Sequence, residues 1–327
     1  MNRQQLAQGT LLMCAVVLIW GAFLPVSKIA LAAIDPYWLT LLRYGVAAIC
    51  FLAALALIEG RAALAFEGQA AKAWAYGSAG FAGFSLFVYE GLRLTRPEHG
   101  AMILALGPVN IVLWQWLRSR HRPHAATLAC IAIALLGEAL VVSQGEAARL
   151  YSGGSALGNG LIYLSSWCWI AFTLGAQKFP GWSPVRYTAL SAALGWLTIL
   201  LVAALATGSG RSQPPQPEGL KEMLWALLFI VFVVSFGAVL LWNMAVAKIG
   251  PLNASLFANF APVITFIITV WQGHALLPVE IAGAALVVGA GMAPGLSGLL
   301  ARYLAPQVAR LEELHVAIHG TEFQRAP

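Results

Sequence analysis

Apolar runs of about 20 residues recur along the chain, separated by short polar stretches that carry glycine or proline. A helix rises 1.5 Å per residue, so roughly 20 apolar residues cross the hydrocarbon core of a bilayer. The pattern predicts helical spans at 10–31, 36–58, 73–94, 98–118, 125–143, 155–177, 184–206, 222–247, 251–272 and 276–298. Their connections are short, as between neighbouring helices of a bundle. Two are longer: 59–72, with mixed charges and alanines, and 207–221, rich in Gly, Ser, Gln and Pro. The expected fold class is therefore all-α integral membrane.

One pattern occurs twice. Pro97 and Pro251 each open an apolar run that a second proline, Pro108 or Pro262, interrupts eleven residues on. Between the prolines, small or polar residues fall at i, i+4 and i+7, one face of a helix. That face reads Ala101, Ala105 and Pro108 in the first copy, and Ser255, Asn259 and Pro262 in the second. Related segments in corresponding places of two halves point to a duplicated membrane protein with an asymmetric central site. We divide the chain into a first five-span repeat at 10–143, a linker at 144–154, a second repeat at 155–298 and a tail at 299–327. An odd number of spans per repeat inverts the second against the first, so ten transmembrane helices form two inverted five-helix repeats.

Composition agrees. Apolar residues make up 60% of the chain and charged ones 10%, with a mean hydropathy of +0.78; soluble domains carry about 25% charged residues. All four cysteines lie in apolar runs, which argues for packing and against a disulfide framework or a zinc site. The net charge of +6 is spread over the loops, with Arg118, Arg120 and Arg122 its one dense stretch, so nucleic acid is not an expected partner. Placing the N terminus inside puts roughly twice as many Lys and Arg in cytoplasmic segments as outside, so both termini are expected in the cytoplasm, at the cell inner (plasma) membrane. The first apolar run continues to Lys28 without a small-residue cleavage site and is read as a retained span. In the tail, Leu304, Val308, Leu311 and His315 keep helical spacing; an interfacial helix and a frayed end both remain open.

Trp20-Gly21 with Lys28 in span 1, Trp169 with Lys178 in span 6, and Pro36 followed by Arg43 in span 2 join the duplicated proline segments in a familiar order. In these residues the chain resembles the EamA-domain transporters of the drug/metabolite transporter superfamily, over about residues 10–295. The resemblance implies ten helices in two repeats and a secondary transporter, with amino acids or related compounds as first candidates. The family usually carries a glutamate after spans 4 and 9, where this chain has Arg120 and His274.

Three groups of residues are candidates for function. An ionised side chain in the bilayer core costs roughly 2.5–3.5 kcal/mol on insertion scales. Arg43, Glu90 and Glu138 all fall in the outer third of their spans, where an Arg43–carboxylate pair could gate or couple transport, or merely fix helix register. Trp20, Tyr89, Trp169 and Trp242 offer apolar area with a polar edge, suited to an amphiphilic or ammonium-bearing molecule. Asn243, Ser255 and Asn259 are candidates to bind substrate or to hold helices together, and Pro108 and Pro262 to shape the helices for gating or for packing. Glu280 and His274 are read as interfacial, and no histidine is read as buried at membrane depth.

The leading reading is a secondary transporter, an exporter of a small polar or amphiphilic metabolite by alternating access. Its partners are that substrate, the lipid bilayer and, if a carboxylate titrates, protons; monomer and homodimer are both compatible with it. No cofactor or metal is expected, since neither a phosphate-binding Gly-x-x-x-x-Gly-Lys loop nor a His-Glu-x-x-His zinc motif occurs. An intramembrane enzyme lacks a nucleophile with its base. A membrane sensor or scaffold acting through its cytoplasmic tail is the alternative, and truncation after Ser297 separates it from a carrier.

Overall fold

The computed structural model describes residues 3–119, 125–143, 145–146, 156–258, 260–273, 275, 277–286 and 288–289. Asn259, His274, most of the linker and the tail lie outside these, as do the side chains of Pro108, Glu138 and Pro262.

Helix starts follow from local chemistry that the two halves share. α1 spans Arg3–Ala30 and α2 Pro36–Ile58. The Asp35 carboxylate accepts the Tyr37 N–H at 2.9 Å, and Pro36 occupies the first turn, where no N–H is needed. In the second half α7 spans Ala156–Gly175 and α8 Pro184–Gly208. Ser183 caps α8 by accepting the Arg186 N–H at 2.9 Å, again just ahead of a proline.

The third helix of each half is wound unevenly. α3 (70–94) runs from Ala70–Gly77 through a π-helical stretch, Ser78–Gly83, into Phe84–Leu94. Its counterpart α10 (Leu224–Ile249) follows the short α9 (Pro217–Glu222) and contains a π-helical stretch at Phe229–Ala238. A π turn takes in one extra residue and re-aims the side chains beyond it.

The runs at 98–118 and 251–272 are each broken into two helices where the second proline is expected to interrupt them. α4 is Pro97–Leu104 and α5 Gly107–Ser119; α11 is Pro251–Ala258 and α12 Ala261–Trp271. The upstream helices end at Leu104 and Ala258, four residues before Pro108 and Pro262. A proline lacks an N–H and its ring clashes with the carbonyl four residues back, which is where both helices stop. α6 covers Ala125–Ser143, and α13 covers 278–286. The chain is all-helical among the described residues, and five of its helices (α1, α2, α7, α8 and α10) are long and apolar enough to cross a membrane.

The helices pair in a pattern that survives exchanging one half for the other. α2 packs on α8, its own counterpart; α3 packs on α7 as α10 packs on α1; and α12 meets α1 as α5 meets α7. Glycines set several of these distances. A Cβ on Gly77 would run into the Ser191 carbonyl of α8, and one on Gly80 would lie 2.5 Å from the Phe172 ring of α7. Gly91 and Gly158 face each other so closely that a Cβ on either would meet the other's carbonyl at 2.7 and 3.0 Å.

Outside the bundle, the loop after α2 is tied to the start of α8. Arg186 donates to the Ala65 carbonyl at 2.6 Å and pairs with Glu67 at 2.9 Å, while the Trp182 indole donates to Glu67 at 3.1 Å. Those donors hold the Glu67 carboxyl below its ordinary range, the Arg186 hydrogen bond contributing most.

Candidate functional site

A cavity of about 100 Å³ lies between the halves, walled by α1, α2, α3, α4, α5, α7, α10, α11 and α12. One water needs about 10–15 Å³ by this measure, so the space admits several waters or a small organic molecule. Both copies of the duplicated segment face it: Ala101, Ala105 and Gly107 from the first, Ser255, Ala258 and Ala261 from the second.

Three tryptophans build one wall. Trp20 on α1 meets Trp169 on α7 edge to face at 5.5 Å and Trp242 on α10 at 4.9 Å; Trp169 and Trp242 are 6.0 Å apart. The Trp242 indole donates to the Thr173 hydroxyl at 3.3 Å, which fixes its rotamer. Gly21 explains why Trp20 can stand here. A Cβ at Gly21 would strike Ile264, so only glycine lets α12 approach, and Thr265 then donates to the Gly21 carbonyl at 2.8 Å.

Arg43 from α2 forms part of the lining and is 2% exposed. Its terminal nitrogens donate to the phenol oxygens of Tyr89 at 2.5 Å and Tyr44 at 3.0 Å. Its guanidinium carbon stands over the rings of Tyr44 at 4.5 Å, Phe23 at 4.9 Å and Tyr89 at 5.5 Å. The Nε is buried without a hydrogen-bond partner, and no carboxylate pairs with Arg43 among the described residues. Aromatic faces return about 0.5–2 kcal/mol each, against a desolvation cost of several kcal/mol for a buried cation. The charge is held in place but not neutralised.

Of the two carboxylates expected near Arg43, Glu90 does not pair with it. Glu90 turns to Arg93, one turn on at 3.7 Å. Glu138 has no described side chain. Of the expected substrate ligands, Trp20, Trp169, Trp242 and Ser255 line the cavity, while Tyr89 acts at one remove by holding Arg43. Asn243 is absent from the lining because its amide donates to the Val239 carbonyl of its own helix at 3.1 Å. Asn259 lies outside the described residues. Phe23, Tyr44, Phe84, Ser166, Thr173 and Thr265 also line the cavity, and sequence reasoning passed over them. Phenylalanine, serine and threonine carry no charge to justify, so nothing in a membrane sequence sets them apart.

Two readings of titratable residues are corrected. His99 is 2% exposed near the start of α4, its Nδ1 3.5 Å from the Thr95 hydroxyl, so a buried histidine does exist. Glu280 is buried rather than interfacial, because its carboxylate turns back to accept the Leu277 N–H at 2.9 Å and caps α13. Among the described residues no three His, Cys, Asp or Glu gather as metal ligands would.

Comparison with known proteins gives a consistent result. Residues 7–143 and 156–292 each match the model of the EamA-like transporter family. The uncharacterized transporter YrdR of Bacillus subtilis (strain 168) is 29% identical over 293 residues, 88% of this chain and 91% of its own length. YyaM of the same organism, also an uncharacterized transporter, is 26% identical over 82% of this chain and 87% of its own. An uncharacterized transporter of Archaeoglobus fulgidus is 24% identical over 79% and 86%. One crystal structure superposes with a TM-score of 0.65 at 22% identity, covering 91% of this chain and 99% of its own, a likeness of fold.

Proposed function

The chain belongs to the EamA-like transporter family, and from that premise we propose that it is a secondary transporter exporting a small polar or amphiphilic metabolite, an amino acid or a related compound. It works by alternating access across the cell inner membrane. Ten spans in two inverted repeats cross the bilayer, with both termini in the cytoplasm.

The observation that carries this reading is the cavity between the halves, walled by both copies of the duplicated segment and by Trp20, Trp169 and Trp242. Supporting it, the helix pairing maps onto itself when the halves are exchanged, as expected of repeats that rock around a central site. The breaks before Pro108 and Pro262 put irregular backbone beside that cavity, where a membrane protein tolerates it. The broken helices are the elements we assign to gating.

The test is untargeted. The protein is reconstituted in liposomes loaded with a mixed metabolite extract, a pH gradient is imposed in either direction, and mass spectrometry identifies what leaves faster than from protein-free liposomes. Selective loss of a few compounds, reduced by Trp242→Ala, is the expected result. Loss of nothing under either gradient removes the transport reading.

A further inference from the structure

We propose that Arg43 is the recognition point for an anionic oxyacid group, carboxylate or phosphate, on the molecule that occupies the central cavity. The cargo is then an organic anion or a zwitterion, and cations are excluded. This rests on the transport reading and narrows it to a class of substrate.

The argument starts from an incomplete charge balance. A guanidinium offers five N–H donors in a planar fork matched to a carboxylate or phosphate. Arg43 spends two of its nitrogens on the neutral phenols of Tyr44 and Tyr89 and leaves Nε without a partner, although it is 2% exposed. A cation meant only to fix helix register is expected to be met by a carboxylate, since a buried charge without an opposite one is costly. Here the surrounding groups do something else. Two phenols and the face of Phe23 fix the position of the fork without cancelling its charge, and Arg43 is one of the residues that line the cavity. Water is poorly supplied among those aromatic rings, so an anion entering the cavity finds a donor already desolvated and already oriented. A cation entering the same space meets like charge at low dielectric. The three tryptophans then hold whatever apolar or ammonium-bearing portion the anion carries, as aromatic faces do.

The experiment takes the full chain in liposomes loaded with the same extract and sorts the compounds that leave into cations, neutral molecules, carboxylates and phosphate esters. Carboxylates or phosphate esters are expected to dominate, and whichever class is enriched names the group. Arg43→Gln is expected to lower their efflux by at least about tenfold, the usual worth of a charge-assisted hydrogen bond. Its melting temperature in detergent should not fall, because the substitution removes an unneutralised charge. Arg43→Lys, which keeps the charge and loses the fork, should fall between. The inference is overturned if the wild-type cargo is cationic or lacks an acid group, or if Arg43→Gln moves the same compounds within about twofold; in either case transport itself stands. If nothing leaves the wild-type liposomes, both readings fall. Should Arg43→Gln not fold, competition decides: 3-phenylpropionate slows the wild-type efflux and 3-phenylpropionamide does not, and equal effects overturn the proposal.

Discussion

Trp242 is held from three sides, by Trp20, by Trp169 and by the hydroxyl of Thr173. Replacing a buried tryptophan by alanine typically costs about 3–5 kcal/mol. Trp242→Ala is therefore expected both to lower the melting temperature in detergent and to reduce selective efflux. Trp242→Phe keeps one aromatic ring in contact but loses the indole N–H and the second ring, and should lose less of both than Trp242→Ala; paired melting and efflux assays check this. Glu90 is not among the residues that line the cavity and pairs with the half-exposed Arg93, so Glu90→Gln should leave the efflux rate unchanged within about twofold. Glu67 gives a different pH signature. Its carboxyl is held low by Arg186 and Trp182, so its contribution is full above the ordinary carboxylate pKa and disappears as pH falls through the lowered one. The difference in melting temperature between the wild type and Glu67→Gln should thus be present at neutral pH, shrink in acid, and be much smaller in an Arg186→Ala background, where only the Trp182 hydrogen bond remains. At this scale the sequence was a partial guide. Tryptophans and charges inside apolar runs announce themselves because the bilayer penalises their polar parts, and three of the four candidate tryptophan and tyrosine rings do line the cavity. Whether Asn243 would reach the cavity or its own helix depends on the rotation of α10, which periodicity does not fix to one residue.

Among the elements, the proline breaks were written plainly in the chain and the π-helical stretches were not. A proline has a local steric consequence at a known offset, so the ends at Leu104 and Ala258 follow from composition. Ser78–Gly83 and Phe229–Ala238 hold no comparable signal, since a π turn is stabilised by what packs around it. The glycines of α3 supply that packing. Gly77→Ala places a methyl group against the Ser191 carbonyl, a backbone atom that cannot swing away, and should push α3 and α8 apart with loss of folded protein on size exclusion. Gly160→Ala, in the open on α7, should be neutral or slightly stabilising in the same assay.

For the molecule as a whole, the duplication was visible in sequence, whereas the partner of each helix was not, because pairing depends on contacts between residues far apart in the chain. The inverted arrangement proposed for the two repeats makes a concrete prediction. In a background without native cysteines, Glu67→Cys and Arg211→Cys, both exposed, should react with a membrane-impermeant thiol reagent from opposite faces of the bilayer; labelling from one face would refute inversion. Arg43 has a consequence for energetics as well. The guanidinium stays in the protein while its cargo leaves, so in a carrier that moves no other ion the charge displaced per cycle is that of the cargo alone. A monoanion driven outward across an inside-negative membrane gains about 2.3 kcal/mol per 100 mV, so the membrane voltage alone would expel such a compound with no proton carried through the protein. A zwitterion gains nothing from that field. The steepness of efflux against a clamped voltage would therefore weigh the net charge of the passenger before its structure is known.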